Sequence, residues 1–197
     1  MSKLICAFAI VAVLSLCQAE DKLKVSLFFS SLCPYCQSFI LDRLYPNYND
    51  FADYINLELV PDQLCNEDHG KWKCTCLGDQ KCLGNKYSSC AIANSSTKVA
   101  LEYITCLERA RVSKESFAQC ASQARISYDE LKSCVETKGL ELLVAHSKRA
   151  EPLKVRGYPT IVFNDVLDED ANFEARANFK EYVCKRLQKN APKVCSS

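Results

Sequence analysis

Cys33 and Cys36, separated by Pro34 and Tyr35, are the side chains of this 197-residue chain whose type and spacing point most directly to chemistry. They follow an apolar run, Val25-Ser26-Leu27-Phe28-Phe29, after only Ser30-Ser31-Leu32, and they open a helix-like stretch from Gln37 to Asp53. The first turn of a helix presents unpaired N–H groups and a partial positive charge, and both favour a thiolate over a thiol. Proline there loses no useful donor and presets φ for the helix start. A thiolate at Cys33 can attack a disulfide, and Cys36, one turn on, can resolve the mixed disulfide that results. This is the layout of a dithiol–disulfide redox centre. Two plainer uses compete with it. One is a closed structural pair. The other is half of a zinc site, which needs a second set of Cys or His ligands at finger-like spacing. The chain has no such set, and its two histidines, His69 and His146, stand far apart. No metal site is expected.

The elements that must hold this pair follow from periodicity. Lys22 to Phe29 carries β-branched and aromatic residues without a breaker and predicts a strand. Pro34 to Asp53 spaces Phe39, Ile40, Leu44, Tyr48 and Phe51 as a helix does. Ile55 to Val60 alternates strictly, which predicts a half-buried strand stopped by Pro61. Strand, helix and strand make a βαβ unit with a right-handed crossover. Asp62 to Cys90 is polar and holds five cysteines, Cys65, Cys74, Cys76, Cys82 and Cys90. It buries too little apolar surface to order itself without covalent bridges, and an odd count sends at least one bridge out of the segment. From Thr97 to Arg149 the chain reads as helical, with Cys106, Cys120 and Cys134 at intervals of fourteen. Ser113 and Ser127 are placed as N-caps, and Ser127 with Glu130 as a capping box. The likeness of the segments between these cysteines fits two short helices of one insertion better than a repeat array. Val155 to Asp165 predicts a turn, a strand from Thr160 and a tight Asn164-Asp165 reversal into a further strand. Phe173 to Lys189 predicts a closing amphipathic helix with Phe179, Tyr182, Val183 and Leu187 on its apolar face. The order predicts an α/β fold: a thioredoxin-like sheet with a disulfide-rich loop and a helical insertion over about 61–150.

In such a fold the proline ahead of the last strand is expected to be cis and to face the dithiol. A cis Tyr158–Pro159 bond would expose the Tyr158 backbone beside Cys33, where an extended substrate can pair while its disulfide is attacked. Tyr158 and Pro159 are therefore the expected substrate-binding residues.

Met1 to Ala19 reads as a secretory leader, with Lys3 as the charged start, Leu4 to Leu16 as the apolar stretch and cleavage before Glu20. That leaves 20–197 as one domain with room for a sizeable core. The apolar stretch falls short of the roughly 20 residues a membrane span needs, and no later one approaches it. Of fourteen cysteines, Cys6 and Cys17 go with the leader; Cys33 and Cys36 set aside, ten remain. An even number suits structural bridges in an oxidising compartment. A formal net charge of +1 argues against a nucleic-acid or anionic-membrane partner. Asn94-Ser95-Ser96 is an N-glycosylation acceptor, expected to be exposed and used.

Five stretches carry a resemblance. They are Ser31 to Phe39 around the dithiol, Leu59-Val60-Pro61, the run Trp72, Cys76, Gly78, Cys82, Asn85 and Cys90, Tyr158 to Asn164, and the tail Val183-Cys184 with Pro192 to Cys195. In this order and spacing the chain resembles the gamma-interferon-inducible lysosomal thiol reductase family over essentially all of 20–197. The third stretch is similar to the family signature Cys-Gln-His-Gly, three residues, Cys, two residues, Asn, four residues, Cys. It departs by lacking one residue between Cys76 and Cys82 and the signature histidine; His69 is instead expected to be a solvated loop residue. On the resemblance, Cys65 and Cys74 are additions paired with each other. The resemblance implies reduction of disulfides in protein substrates, with Cys33 as nucleophile and Cys36 as resolving thiol. It implies no prosthetic group and a small-thiol or protein reductant. The compartment is on the secretory pathway, lysosomal or secreted. Two other functions use the same residues: a secreted oxidase or isomerase, whose potential the motif alone does not set, and a non-catalytic disulfide-rich binding protein.

Overall fold

The computed structural model describes residues 22–78 and 82–196. The expected leader lies outside the described residues. Strand β1 (Leu23–Phe29) is the centre of a three-stranded sheet. It runs parallel to β2 (Ile55–Pro61), in register from Leu23 opposite Ile55 to Phe29 opposite Pro61. On its other side it runs antiparallel to β5 (Thr160–Phe163), with Val25 opposite Phe163 and Phe28 opposite Thr160. A central strand covered on both faces must be apolar on both. Val25, Leu27 and Phe29 accordingly enter one core with Leu57, Leu59 and Ile161, while Phe28 enters another with Val60 and Val162. Pro61 belongs to β2 rather than stopping it, because β2 is an edge strand where a missing N–H is tolerated.

The helix expected over 34–53 forms, but in three pieces. α1 (Pro34–Phe39) leads into a π turn (Ile40–Leu44) and then α2 (Tyr45–Phe51). Pro46 supplies no N–H and its ring crowds the carbonyl four residues back, and the widened turn just ahead of it makes room. The apolar stripe survives: Phe39, Ile40, Leu44 and Phe51 are buried, and Phe39 and Phe51 meet Phe179 edge to face at 5.7 and 6.4 Å.

The stretch expected as a loop from Asp62 to Cys90 holds more structure than that. β3 (Leu64–Asp68) and β4 (Lys71–Thr75) form a hairpin turned by His69 and Gly70, both at positive φ (50° and 74°). The hairpin register sets Cys65 opposite Cys74, and the two are bridged. α3 (Leu83–Asn94) begins well before the helical region expected from Thr97, and α4 (Thr97–Arg109) follows it. α5 (Ser116–Ala124), α6 (Tyr128–Thr137) and α7 (Gly139–Ala150) complete the segment before β5. Tyr87, Tyr103, Leu107, Phe117 and Leu131 form a core of their own there, tied by Cys90–Cys134 and Cys106–Cys120. The bridge that leaves the cysteine-dense segment is Cys90–Cys134. Ser127 caps α6, accepting from the Glu130 amide at 3.3 Å. Ser113 caps the turn before α5, accepting from the Ser116 amide at 3.2 Å, so that helix starts later than its position suggests.

α7 returns across the second face of the sheet. There Arg149 reaches Glu58 at 2.9 Å, and Glu58 accepts from the buried Ser26 hydroxyl at 2.5 Å. Asn164 and Asp165, at φ 50° and 60°, make the expected reversal, but the strand after it is reduced to one bridge, Phe163 with Val166. Asp168 then caps α8 (Glu169–Ala177), accepting from the Ala171 amide. The single closing helix expected over 173–189 splits at Asn178, which caps α9 (Phe179–Leu187) through the Glu181 amide. The split leaves Phe173 66% exposed, whereas Phe179, Tyr182 and Val183 are buried. Cys184–Cys195 pins the tail. Among the described residues no helix is long and apolar enough to cross a membrane.

Candidate active site

The chain leaves β1 through a tight turn. The Cys33 amide donates to the Ser30 carbonyl at 3.2 Å, and Leu32 takes φ 67°, a left-handed conformation that disfavours a branched side chain. The turn places Cys33 as the N-cap of α1, with Pro34 at the first helical position and the Gln37 amide bonded to the Cys33 carbonyl at 2.9 Å. Ten cysteines are bridged, and Cys33 and Cys36 are the free thiols among the described residues. Cys33 is 7% exposed and Cys36 fully buried.

The two sulfurs are driven apart electrostatically. Cys33 is pulled down to about 6, chiefly by the hydrogen bond from the Cys36 thiol and further by the Cys36 and Tyr35 amides, against the opposing effect of burial. Burial, and then the bond it gives Cys33, pushes the Cys36 thiol far up. The pair thus holds one thiolate at the mouth and one thiol inside, the distribution a nucleophile and a resolving group require.

Tyr158 and Pro159 arrive from more than a hundred residues away. Their peptide bond is cis, and the Cys33 Sγ lies 3.7 Å from the Tyr158 carbonyl oxygen. Antiparallel pairing of β5 with β1 produces this meeting, since it sets the start of β5 beside the end from which Cys33 projects. A cleft of 380 Å³ opens beside the pair, lined by Tyr35, Phe39, Arg43, Tyr158, Pro159 and Phe173. Tyr35 and Phe173 are 78% and 66% exposed, so the cleft has an aromatic rim.

Three buried polar residues frame the site, and of these only Asn85 stood out in the sequence. Asp62 accepts from the Tyr158 hydroxyl at 2.9 Å and is pushed up to about 6 by burial. Asn85 accepts from the Ser31 amide at 2.8 Å and donates to the Asp62 carbonyl at 3.3 Å and to Gln63 Oε1 at 2.6 Å. It ties the turn before Cys33, the end of β2 and α3 together. Gly84 permits that approach, because a Cβ there would sit 2.7 Å from the Ser31 Cβ and 2.8 Å from Val112 Cγ1. Glu108 is 1% exposed, its carbonyl accepts from the Gln37 side chain, and burial followed by the charge on Cys33 pushes its carboxyl up to about 8. A sequence signal for Glu108 did exist: it continues the buried stripe Leu101, Ile104, on α4. Asn85 had only its place in the signature.

The remaining candidates stand apart. His69 sits in the hairpin turn with its side chain 96% exposed, bonded to Asp68 at 2.5 Å. Asn94 is exposed at the end of α3. Among the described residues no three His, Cys, Asp or Glu side chains converge as a metal-binding group.

Comparison with known proteins agrees with this geometry. Residues 24–124 match the sequence model of a family described as gamma interferon inducible lysosomal thiol reductase. A protein of Anopheles gambiae named gamma-interferon-inducible lysosomal thiol reductase-like protein is 28% identical, over 87% of this chain and 79% of its own. GILT-like protein 2 of Drosophila melanogaster is 24% identical, over 85% of this chain and 82% of its own. Among solved structures, DsbA of Chlamydia trachomatis superposes with a TM-score of 0.59 at 16% identity, over 87% of this chain and 90% of that one. The fold is thioredoxin-like.

Proposed function

The chain belongs to the gamma interferon inducible lysosomal thiol reductase family and is a thiol–disulfide oxidoreductase; from this we propose that it reduces disulfides of protein substrates through Cys33 and Cys36 in an acidic endolysosomal compartment. The depressed Cys33 thiol carries the reading. With its affinity for a proton set near pH 6, about a tenth of Cys33 is thiolate at pH 5, against roughly one part in 3,000 for an ordinary thiol. An acid-working reductase needs that reserve. Substrate enters along the cleft, its backbone pairing at the Tyr158–Pro159 edge beside Cys33. Cys33 attacks the disulfide, Cys36 displaces the substrate thiol, and a small thiol or partner protein reduces the Cys33–Cys36 disulfide.

One observation favours the opposite direction. A thiolate stabilised in the reduced state raises the reduction potential, which suits an oxidase. Equilibrating the dithiol with glutathione separates the two, a low potential supporting reduction and a high one sinking it. Cys33→Ser is expected to abolish reduction of a denatured disulfide protein, and Cys36→Ser to trap a mixed disulfide visible as a mass increase. Swapped phenotypes would reverse the two roles. Passage through the secretory pathway predicts a glycan on Asn94, seen as a mobility shift on enzymatic deglycosylation that Asn94→Gln removes.

A further inference from the structure

Glu108 stands where the fold gives no structural use for a carboxyl. Its neighbours on the buried face of α4, Leu101, Ile104 and Leu107, are fully buried. Glu108 is 1% exposed and its Oε1 has no hydrogen-bond partner among the described residues. The basic residues nearest in the chain, Arg109 and Arg111, are exposed. On the elements packed around α4, Arg43 bonds the Ala177 carbonyl, Glu58 is paired with Arg149, and Tyr87 bonds Tyr128. A buried, unpaired acid of this kind is costly, so its presence calls for a reason other than stability. Its surroundings supply one. Gln37, the residue after Cys36, donates to the Glu108 carbonyl and fixes this turn of α4 against the dithiol, and the carboxyl is electrostatically coupled to both Cys33 and Cys36.

We propose that Glu108 is the proton acceptor for Cys36 in the step that resolves the mixed disulfide, an inference that rests on the dithiol function above. Glu108 holds its proton at the start. That proton passes to the first substrate thiolate, released when Cys33 attacks, and the Cys36 S–H proton then passes to the carboxylate so formed, directly or through one water. The Cys36 sulfur attacks Cys33 Sγ, the Cys33–Cys36 bond forms and the bond to the substrate sulfur breaks. The second substrate sulfur leaves as a thiolate and takes its proton from solvent, while Glu108 keeps the proton taken from Cys36. Two electrons have moved from the dithiol to the substrate disulfide, and Glu108 is returned to its starting state. The charge on Cys33 is one of the two influences that make Glu108 hold its proton. Formation of the mixed disulfide removes that charge, so attack by Cys33 prepares the acceptor that the next step needs.

The test uses the disulfide-intact protein reduced only at its dithiol and a bis-nitrobenzoate disulfide, whose leaving thiolate is coloured. Attack by Cys33 releases the first equivalent and resolution by Cys36 the second. In the wild type the second phase should accelerate with pH and bend where Glu108 gives up its proton. Glu108→Gln, isosteric with the protonated acid, should leave the first phase within about twofold, slow the second about 100-fold and erase the bend. Glu108→Asp should restore the bend. A second phase in Glu108→Gln with the wild-type rate and bend would overturn the proposal, as would equal slowing of both phases. Failure of the wild type to release either equivalent would instead bring down the dithiol function itself.

Discussion

Asp62 is held at the site by its bond from the Tyr158 hydroxyl, yet burial outweighs that bond and raises it to about 6 from an ordinary 3.8. A group that binds its proton more tightly when folded contributes stability that is complete below about pH 3.8 and disappears as pH rises through about 6. The loss amounts to about 3 kcal/mol, at about 1.4 kcal/mol for each tenfold change in proton affinity. Asp62→Asn keeps an acceptor for Tyr158 and removes the titration. Its melting temperature should therefore rise relative to the wild type between about pH 4 and pH 7; a pH-independent gap would refute the assignment. His146, pulled down to about 4 by burial, works in the opposite sense, losing stability as pH falls from 6.5. It is the same in both proteins and cancels from the comparison.

At the level of elements, small polar residues decide where helices begin. Asn178 closes α8 and caps α9, bonding the Glu181 amide at 3.3 Å while its own amide reaches the Glu181 carboxylate at 2.8 Å. Asn178→Ala should cost about 1 kcal/mol, read as a lower denaturant midpoint with unchanged slope. That boundary was legible in the Asn-x-x-Glu spacing but was outweighed by the apolar periodicity running through it. What the sequence disclosed well was local: the β1–α1 junction that presents Cys33, the alternation of β2, the Asn164-Asp165 turn, the approach of Pro159. The β3–β4 hairpin escaped because both its faces are largely wet, so it shows no alternation to read. Beyond the place of Asn85 in the signature, the frame around the dithiol escaped for a different reason. Asp62, Asn85 and Glu108 have the types of surface residues, and only the docking of α3 and α4 against β2 and α1 buries them.

At the scale of the whole molecule, two of its cores, one on the Leu27 face of the sheet and one inside the α3–α6 segment, meet at the dithiol. Cys33 and Cys36 belong to the first, while α3 and α4 reach across with Asn85 and Glu108. The second core depends on its bridges. Cys90–Cys134 closes a separation of 44 residues and Cys184–Cys195 one of 11; chain entropy makes the former worth about 4 kcal/mol and the latter about 3. Cys90→Ala/Cys134→Ala should accordingly lower the unfolding midpoint more than Cys184→Ala/Cys195→Ala does. The arrangement of these bridges also bears on storage and turnover of the protein itself. A thiol–disulfide oxidoreductase carrying five disulfides among its described residues can exchange with its own neighbours in concentrated solution. Cys90, Cys106, Cys120 and Cys134 are buried, whereas Cys74, Cys76, Cys184 and Cys195 are partly open to solvent. Attack by the dithiol of a neighbouring molecule therefore meets the hairpin and the tail first, and the bridges of the helical segment that frames the dithiol last.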